Sequence, residues 1–79
     1  SEIDTLLNKH PNVQEAIASV YTDEAKETQL VAYIAFKQHY LMQTSELMQY
    51  LEESLPSYMI PTIFITIDKL PKTPNGKVN

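Results

Sequence analysis

The last ten residues of the chain hold the side chain best suited to do chemistry. Residues 70–79 read LPKTPNGKVN, and the chain's single glycine, Gly76, comes directly before Lys77. Two prolines fix φ, and Asn75-Gly76 is the dipeptide most prone to positive φ. A tight turn could therefore bring the Lys77 ammonium, which has three donors on a long stem, to a phosphate or carboxylate oxygen. The same spacing also fits a hairpin turn followed by a solubilising lysine, so it leaves both readings open.

Other kinds of site find little support in the spacing. His10 and His39 fall in separate predicted elements, without cysteine or EF-hand acids nearby, which predicts solvated or helix-end histidines and no metal. A phosphate-binding Walker loop needs several glycines and a Gly-Lys-Ser or Gly-Lys-Thr ending, but valine follows the lysine here. No Gly-x-Ser-x-Gly elbow is present. Tyr33 and Phe36 lack flanking arginines, so we expect core packing rather than base stacking.

Length and composition narrow the class of protein. Seventy-nine residues, 43% of them hydrophobic and 20% charged, predict one small globular domain without a large enclosed active site. The longest apolar run, residues 30–36, is too short to cross a bilayer, so we expect no membrane partner and a cytoplasmic location. All six cations are lysines and the net charge is −4, which argues against a nucleic-acid partner. Lysines without acids follow Asp68, so the tail is basic.

Hydrophobic periodicity predicts an α+β fold, with a small three-stranded sheet packed with two or three helices. Apolar residues spaced at 3 and 4 indicate a helix over 1–10, which Ser1 and Asp4 should cap and Pro11 should stop. A second helix is indicated from Thr44 or Ser45, either of which is a fair cap, to Leu55, where Pro56 stops it. Alternating residues indicate strands over 13–21, 29–37 and 62–68. The 29–37 strand is apolar on both faces, so we expect it at the centre of the sheet. The order of the strands stays open at this point.

Two long motifs then identify a family. Residues 55–61 (LPSYMIP) and 70–78 (LPKTPNGKV) resemble LPxYMxP and LPxTPNGKV, the last core motifs of adenylation domains in nonribosomal peptide synthetases, which are adenylate-forming enzymes. Residues 2–16 resemble the EIE...L...HPxVxEA segment of the same family. Pro-Asn-Gly-Lys, in place of the Ser-Gly-Lys common in acyl-CoA and aryl-CoA ligases, favours the peptide synthetases.

The resemblance implies that residues 1–79 are the small C-terminal subdomain of such an enzyme, lacking the hinge and first hairpin of the full subdomain. The family joins a carboxylic acid to ATP with Mg²⁺ present, and passes the acyl group to a phosphopantetheine thiol on a peptidyl carrier protein. The N-terminal subdomain supplies the acid pocket and most nucleotide contacts. Lys77 matches the catalytic lysine, with Asn75 and Gly76 shaping its approach. Asn79 departs from the family's usual aspartate, and we expect the isolated fragment to be inactive.

For the LPSYMIP segment we expect a structural role, in which Pro56 ends a helix and Pro61 opens the next strand. Tyr58, Met59 and Ile60 are expected to pack beneath the sheet. Two alternatives remain for the whole chain: a fragment of an acyl-CoA or aryl-CoA ligase, and a stand-alone α+β protein-binding module without catalysis.

Overall fold

The structure, a computed structural model, describes residues 1–38 and 41–69. Its elements follow the predicted order of helix, two strands, helix and strand: α1 (Glu2–Lys9), β1 (Val13–Thr22), β2 (Thr28–Phe36), α2 (Thr44–Glu52), a short 3₁₀ turn (Ser57–Met59) and β3 (Ile63–Thr66). The sheet order is β1-β2-β3, which confirms the α+β fold and the central position of β2. β1 runs antiparallel to β2, whereas β3 runs parallel to it.

Helix α1 begins and ends as its sequence predicts. Ser1 is its N-cap: the Ser1 hydroxyl accepts from the Asp4 backbone N at 3.3 Å, and the Asp4 carboxylate lies 3.5 Å from the Ser1 amine. This reciprocal capping box satisfies donors that the first helical turn leaves free. The helix ends at Lys9, and the backbone N of its C-cap residue, His10, donates to the Leu7 carbonyl at 3.1 Å, directly before Pro11.

Helix α2 begins at Thr44, as predicted, but its capping residue and its C-terminal end differ from the prediction. Its N-cap is Gln43 rather than Thr44 or Ser45, and the Gln43 backbone N donates to the Glu46 carboxylate at 3.3 Å. The helix ends at Glu52, before Leu55 and Pro56. The predicted helix was too long because Leu55 continues the apolar spacing of the helix in the sequence. In the structure its side chain is buried, at 8% exposure, but its backbone lies outside the regular helix.

The hydrophobic core lies between the two helices and one face of the sheet. Its fully buried side chains include Leu7 of α1, Leu51 of α2 and Ile34 of β2. Phe36 packs against this cluster, as expected, but Tyr33 is half-buried outside it because alternate residues of β2 point to opposite faces. Burial of these apolar side chains supplies the main stabilisation of a fold this small.

Candidate functional site

The predicted site residues Asn75, Gly76 and Lys77 lie outside the described residues. The structure shows where the segment that carries them begins. β3 ends at Thr66, and the backbone N of the next residue, Ile67, donates to the Ile34 carbonyl at 2.9 Å. The chain is therefore held against the central strand as far as Ile67, three residues before the motif begins in the sequence at Leu70.

An open cleft of about 600 Å³ lies at that point. It is formed where the carboxyl ends of the parallel strands β2 and β3 meet, and its lining comprises Phe36, Lys37, Gln38, Leu41, Thr66, Ile67 and Asp68. Lys37 and Asp68 are both exposed at this site, so the cleft offers one ammonium and one carboxylate to solvent. Sequence reasoning missed this cleft because no local pattern shows that β3 pairs in parallel with β2.

The histidine prediction can be checked at His10. Its Nδ1 accepts from the Asn12 backbone N at 3.1 Å, so Nε2 carries the proton in the neutral ring. The ring also meets Tyr50 edge to face, with the centroids 4.7 Å apart. This confirms a helix-end histidine, while His39 lies outside the described residues. Within 1–38 and 41–69, no three His, Asp or Glu side chains come together as metal ligands.

The LPSYMIP segment has the structural role that we expected, with two corrections. Ile60 is buried at 7% exposure and Pro61 is fully buried, so the segment anchors the chain between α2 and β3. Tyr58, however, is 81% exposed and does not pack beneath the sheet. The three side chains of the 3₁₀ turn point in different directions, and here Ser57 and Tyr58 face solvent while Met59 is part-buried. Pro61 does not open the strand either, because β3 begins at Ile63.

A comparison with known protein families finds a match over almost the whole chain. A family model described as the AMP-binding enzyme C-terminal domain matches residues 2–77, nearly the entire length. The chain belongs to the family of AMP-binding enzyme C-terminal domains. The matched range includes the described fold and continues through the LPKTPNGK segment. Within the described ranges, neither helix has the length and apolar character that crossing a bilayer requires.

Individual relatives are much longer than this chain. A linear gramicidin synthase polypeptide of Brevibacillus parabrevis is 44% identical over 78 residues, which cover 99% of this chain and 1% of that protein. A solved four-domain nonribosomal peptide synthetase bound to AMP and glycine has a TM-score of 0.86 and 31% identity, over 99% of this chain and 6% of that one. The o-succinylbenzoate CoA synthetase of Bacillus subtilis also gives 0.86 and 31%, over 99% of this chain and 16% of that one.

Proposed function

We propose that this chain is the small C-terminal subdomain of an adenylation enzyme of the nonribosomal peptide synthetase type, acting in the cytoplasm. Joined to the N-terminal subdomain, it activates an amino acid or another carboxylic acid with ATP to an acyl-adenylate. The acyl group then passes to the phosphopantetheine thiol of a peptidyl carrier protein. The observation that carries the proposal is the family match, because it runs through residue 77 and so takes in the motif lysine.

The chemistry needs a cation where two anions must meet. A carboxylate oxygen attacks the α-phosphorus of ATP, a P–O bond forms, and pyrophosphate leaves with its bonding electron pair. Lys77 offsets the repulsion between the carboxylate and the phosphate and stabilises the charge that builds during attack. Asn75 and Gly76 shape the approach of the loop. ATP and Mg²⁺ are bound mainly by the N-terminal subdomain, where the metal neutralises phosphate charge.

The described fold supports this role because the strand that precedes the Lys77 motif in the sequence, β3, is fixed at both of its ends. β3 is hydrogen-bonded to the central strand as far as Ile67, and Ile60 and Pro61 fix its other end in the core. A lysine at the end of a proline-bounded segment can thus reach out from a rigid domain. In the second half-reaction the carrier thiol attacks the acyl carbon and AMP leaves.

The test uses the full-length parent enzyme carrying Lys77→Ala. Substrate-dependent exchange of pyrophosphate into ATP should fall about 10²- to 10³-fold, the usual cost of losing one donor to a developing anion. Binding of the aminoacyl-adenylate should remain nearly unchanged. Lys72→Ala is the matched control, because it removes a lysine from the same segment. Exchange at the wild-type rate in the Lys77 variant contradicts the proposal.

A CoA ligase is the second candidate, since the CoA synthetase of Bacillus subtilis matches as well as the peptide synthetase does, at 31% identity each. The acceptor thiol distinguishes the two. A synthetase should load a phosphopantetheinylated carrier protein in preference to free CoA, and a ligase should do the reverse. A stand-alone binding module would show no adenylation at all, either in the wild type or in any Lys77 variant.

A further inference from the structure

Three of the four lysines in the described part of the chain lie at the same end of the sheet. Lys37 directly follows β2, and Lys69 follows β3 by three residues. Because β2 and β3 are parallel, both lysines lie at the carboxyl ends of these strands. Lys9 ends α1 at this end too, since Val13, the first residue of β1, pairs with Phe36, the last of β2. We call Lys9, Lys37 and Lys69 the basic edge.

The opposite end of the sheet is acidic. The turn from β1 to β2 lies there, and it contains three carboxylates around a single lysine: Asp23, Glu24, Lys26 and Glu27. β2 spans nine residues, so about 30 Å separate this turn from Lys37. The strands and the residues that follow them contribute two acids near the basic edge, Glu15 and Asp68, against its three lysines. Local positive charge on a chain of net charge −4 favours an anionic ligand.

Lys37 is the lysine of the basic edge that is best placed to bind an anion. Its backbone N donates to the Asn12 carbonyl at 3.0 Å, and Phe36 before it packs against the core, so the base of the side chain is fixed. The side chain is exposed and lines the cleft of about 600 Å³ at the ends of β2 and β3. Among residues 1–38 and 41–69, no carboxylate forms an ion pair with its ammonium, although Asp68 lines the same cleft.

The reaction supplies an anion on this side of the domain. The last described residue, Lys69, belongs to the basic edge, and the motif that carries Lys77 begins with the next residue, Leu70. Under the proposed function Lys77 meets the substrate carboxylate and the α-phosphate, so the β- and γ-phosphates of ATP arrive on the side of the domain that carries the basic edge. A lysine suits these phosphates, because its ammonium binds their oxygens as a compact point charge.

We propose that Lys37 binds the phosphate chain of ATP, and the pyrophosphate released from it, during adenylation. This inference rests on the proposed function. The β- and γ-phosphates are present both before and after their bond to the α-phosphate breaks, so Lys37 binds the ground state and the transition state about equally. Loss of Lys37 therefore raises KM and changes kcat little, whereas loss of Lys77 lowers kcat.

The test measures pyrophosphate exchange in the full-length parent enzyme carrying Lys37→Gln, over a range of pyrophosphate and ATP concentrations. KM for both should rise about three- to tenfold, as expected for one exposed contact between an ammonium and a phosphate, with kcat within about twofold of the wild type. Lys37→Arg keeps the charge and should stay within about twofold of the wild type in KM. Lys26→Gln is the matched control, because it removes an exposed lysine charge at the acidic end of the sheet.

The pattern of KM values decides the inference. Values for Lys37→Gln within twofold of those for Lys26→Gln overturn it, as does an equal rise in Lys37→Arg. Loading of the phosphopantetheinylated carrier from preformed acyl-adenylate checks the other source of phosphate: a rise in KM for the carrier, without one for pyrophosphate, also overturns it. If Lys77→Ala slows exchange but Lys37→Gln leaves KM unchanged, this inference fails and the proposed function stands. Unchanged exchange in Lys77→Ala defeats the proposed function itself.

Discussion

Asn8 of α1 forms two hydrogen bonds with the backbone of Ala16 in β1. The Ala16 N donates to Asn8 Oδ1 at 3.1 Å, and Asn8 Nδ2 donates to the Ala16 carbonyl at 2.9 Å. One turn earlier in the helix, Asp4 Oδ1 accepts from the Ala18 N at 2.7 Å. β1 is an edge strand, and these side chains satisfy backbone groups that would otherwise be open to pairing with another chain. The helix is thereby fixed along the edge of the sheet.

The replacement Asn8→Ala should loosen this edge. It removes both partners of Ala16, and a part-buried backbone group left without its bond costs about 1–3 kcal/mol. Amide hydrogen exchange across β1 in the full-length parent should therefore speed up by about fivefold or more. The control Lys9→Ala, at an exposed position next in the helix, should leave β1 protection within about twofold of the wild type. Equal exchange in both variants would show that the Asn8 bonds add no stability.

The turn between β1 and β2 contains a residue that is poorly suited to its conformation. Lys26 is the one non-glycine residue with positive φ among the described residues, at φ 68°. The Lys26 N donates to the Asp23 carbonyl at 3.0 Å, and the Asp23 carboxylate accepts from the Glu27 N at 2.9 Å. These bonds hold the turn despite a left-handed conformation that costs a residue with a Cβ about 1–2 kcal/mol.

Lys26→Gly should consequently stabilise the hairpin by about 0.5–1 kcal/mol, after allowance for the greater flexibility of glycine when unfolded. Hydrogen exchange of the β1 and β2 amides near the turn should slow about two- to fivefold. Ala25→Gly is the matched control, because Ala25 has no positive φ and gains only unfolded-state entropy. Faster exchange in the Lys26 variant than in the wild type would refute the strain argument.

The periodicity of the sequence predicted the elements well where hydrophobic spacing and capping agree. Ser1 and Asp4 form the expected capping box, and β2, apolar on both faces, is the central strand. Alternation alone could not show that β3 runs parallel to β2, because pairing direction depends on how the intervening chain crosses the fold. The hydrogen bonds from Asn8 to Ala16 could not be predicted from the sequence either, because they depend on how α1 lies against β1 in the folded protein. For the site, the predicted residues lie beyond Lys69, outside the described range, so Lys77 remains a prediction.

Core packing and surface exposure give opposite predictions for two large side chains near each other in sequence. Leu51 is fully buried in the core and Tyr58 is 81% exposed. Leu51→Ala should destabilise the domain by about 2–5 kcal/mol, because it removes buried apolar contacts and leaves a cavity. Tyr58→Ala should change stability by less than about 0.5 kcal/mol. Amide hydrogen exchange of the core strand β2 in the full-length parent enzyme measures both changes in stability. A larger effect from Tyr58→Ala than from Leu51→Ala would contradict the assignment of the core.

The most direct test of the central claim separates the two half-reactions of the parent enzyme carrying Lys77→Ala. If Lys77 serves adenylation, this variant should lose about 10²- to 10³-fold in pyrophosphate exchange. Supplied with preformed acyl-adenylate, it should still load the phosphopantetheinylated carrier protein at a rate within about threefold of Lys72→Ala, the control with an intact Lys77. Full exchange activity, or equal loss in both half-reactions, would contradict the assignment of Lys77 to the adenylation step.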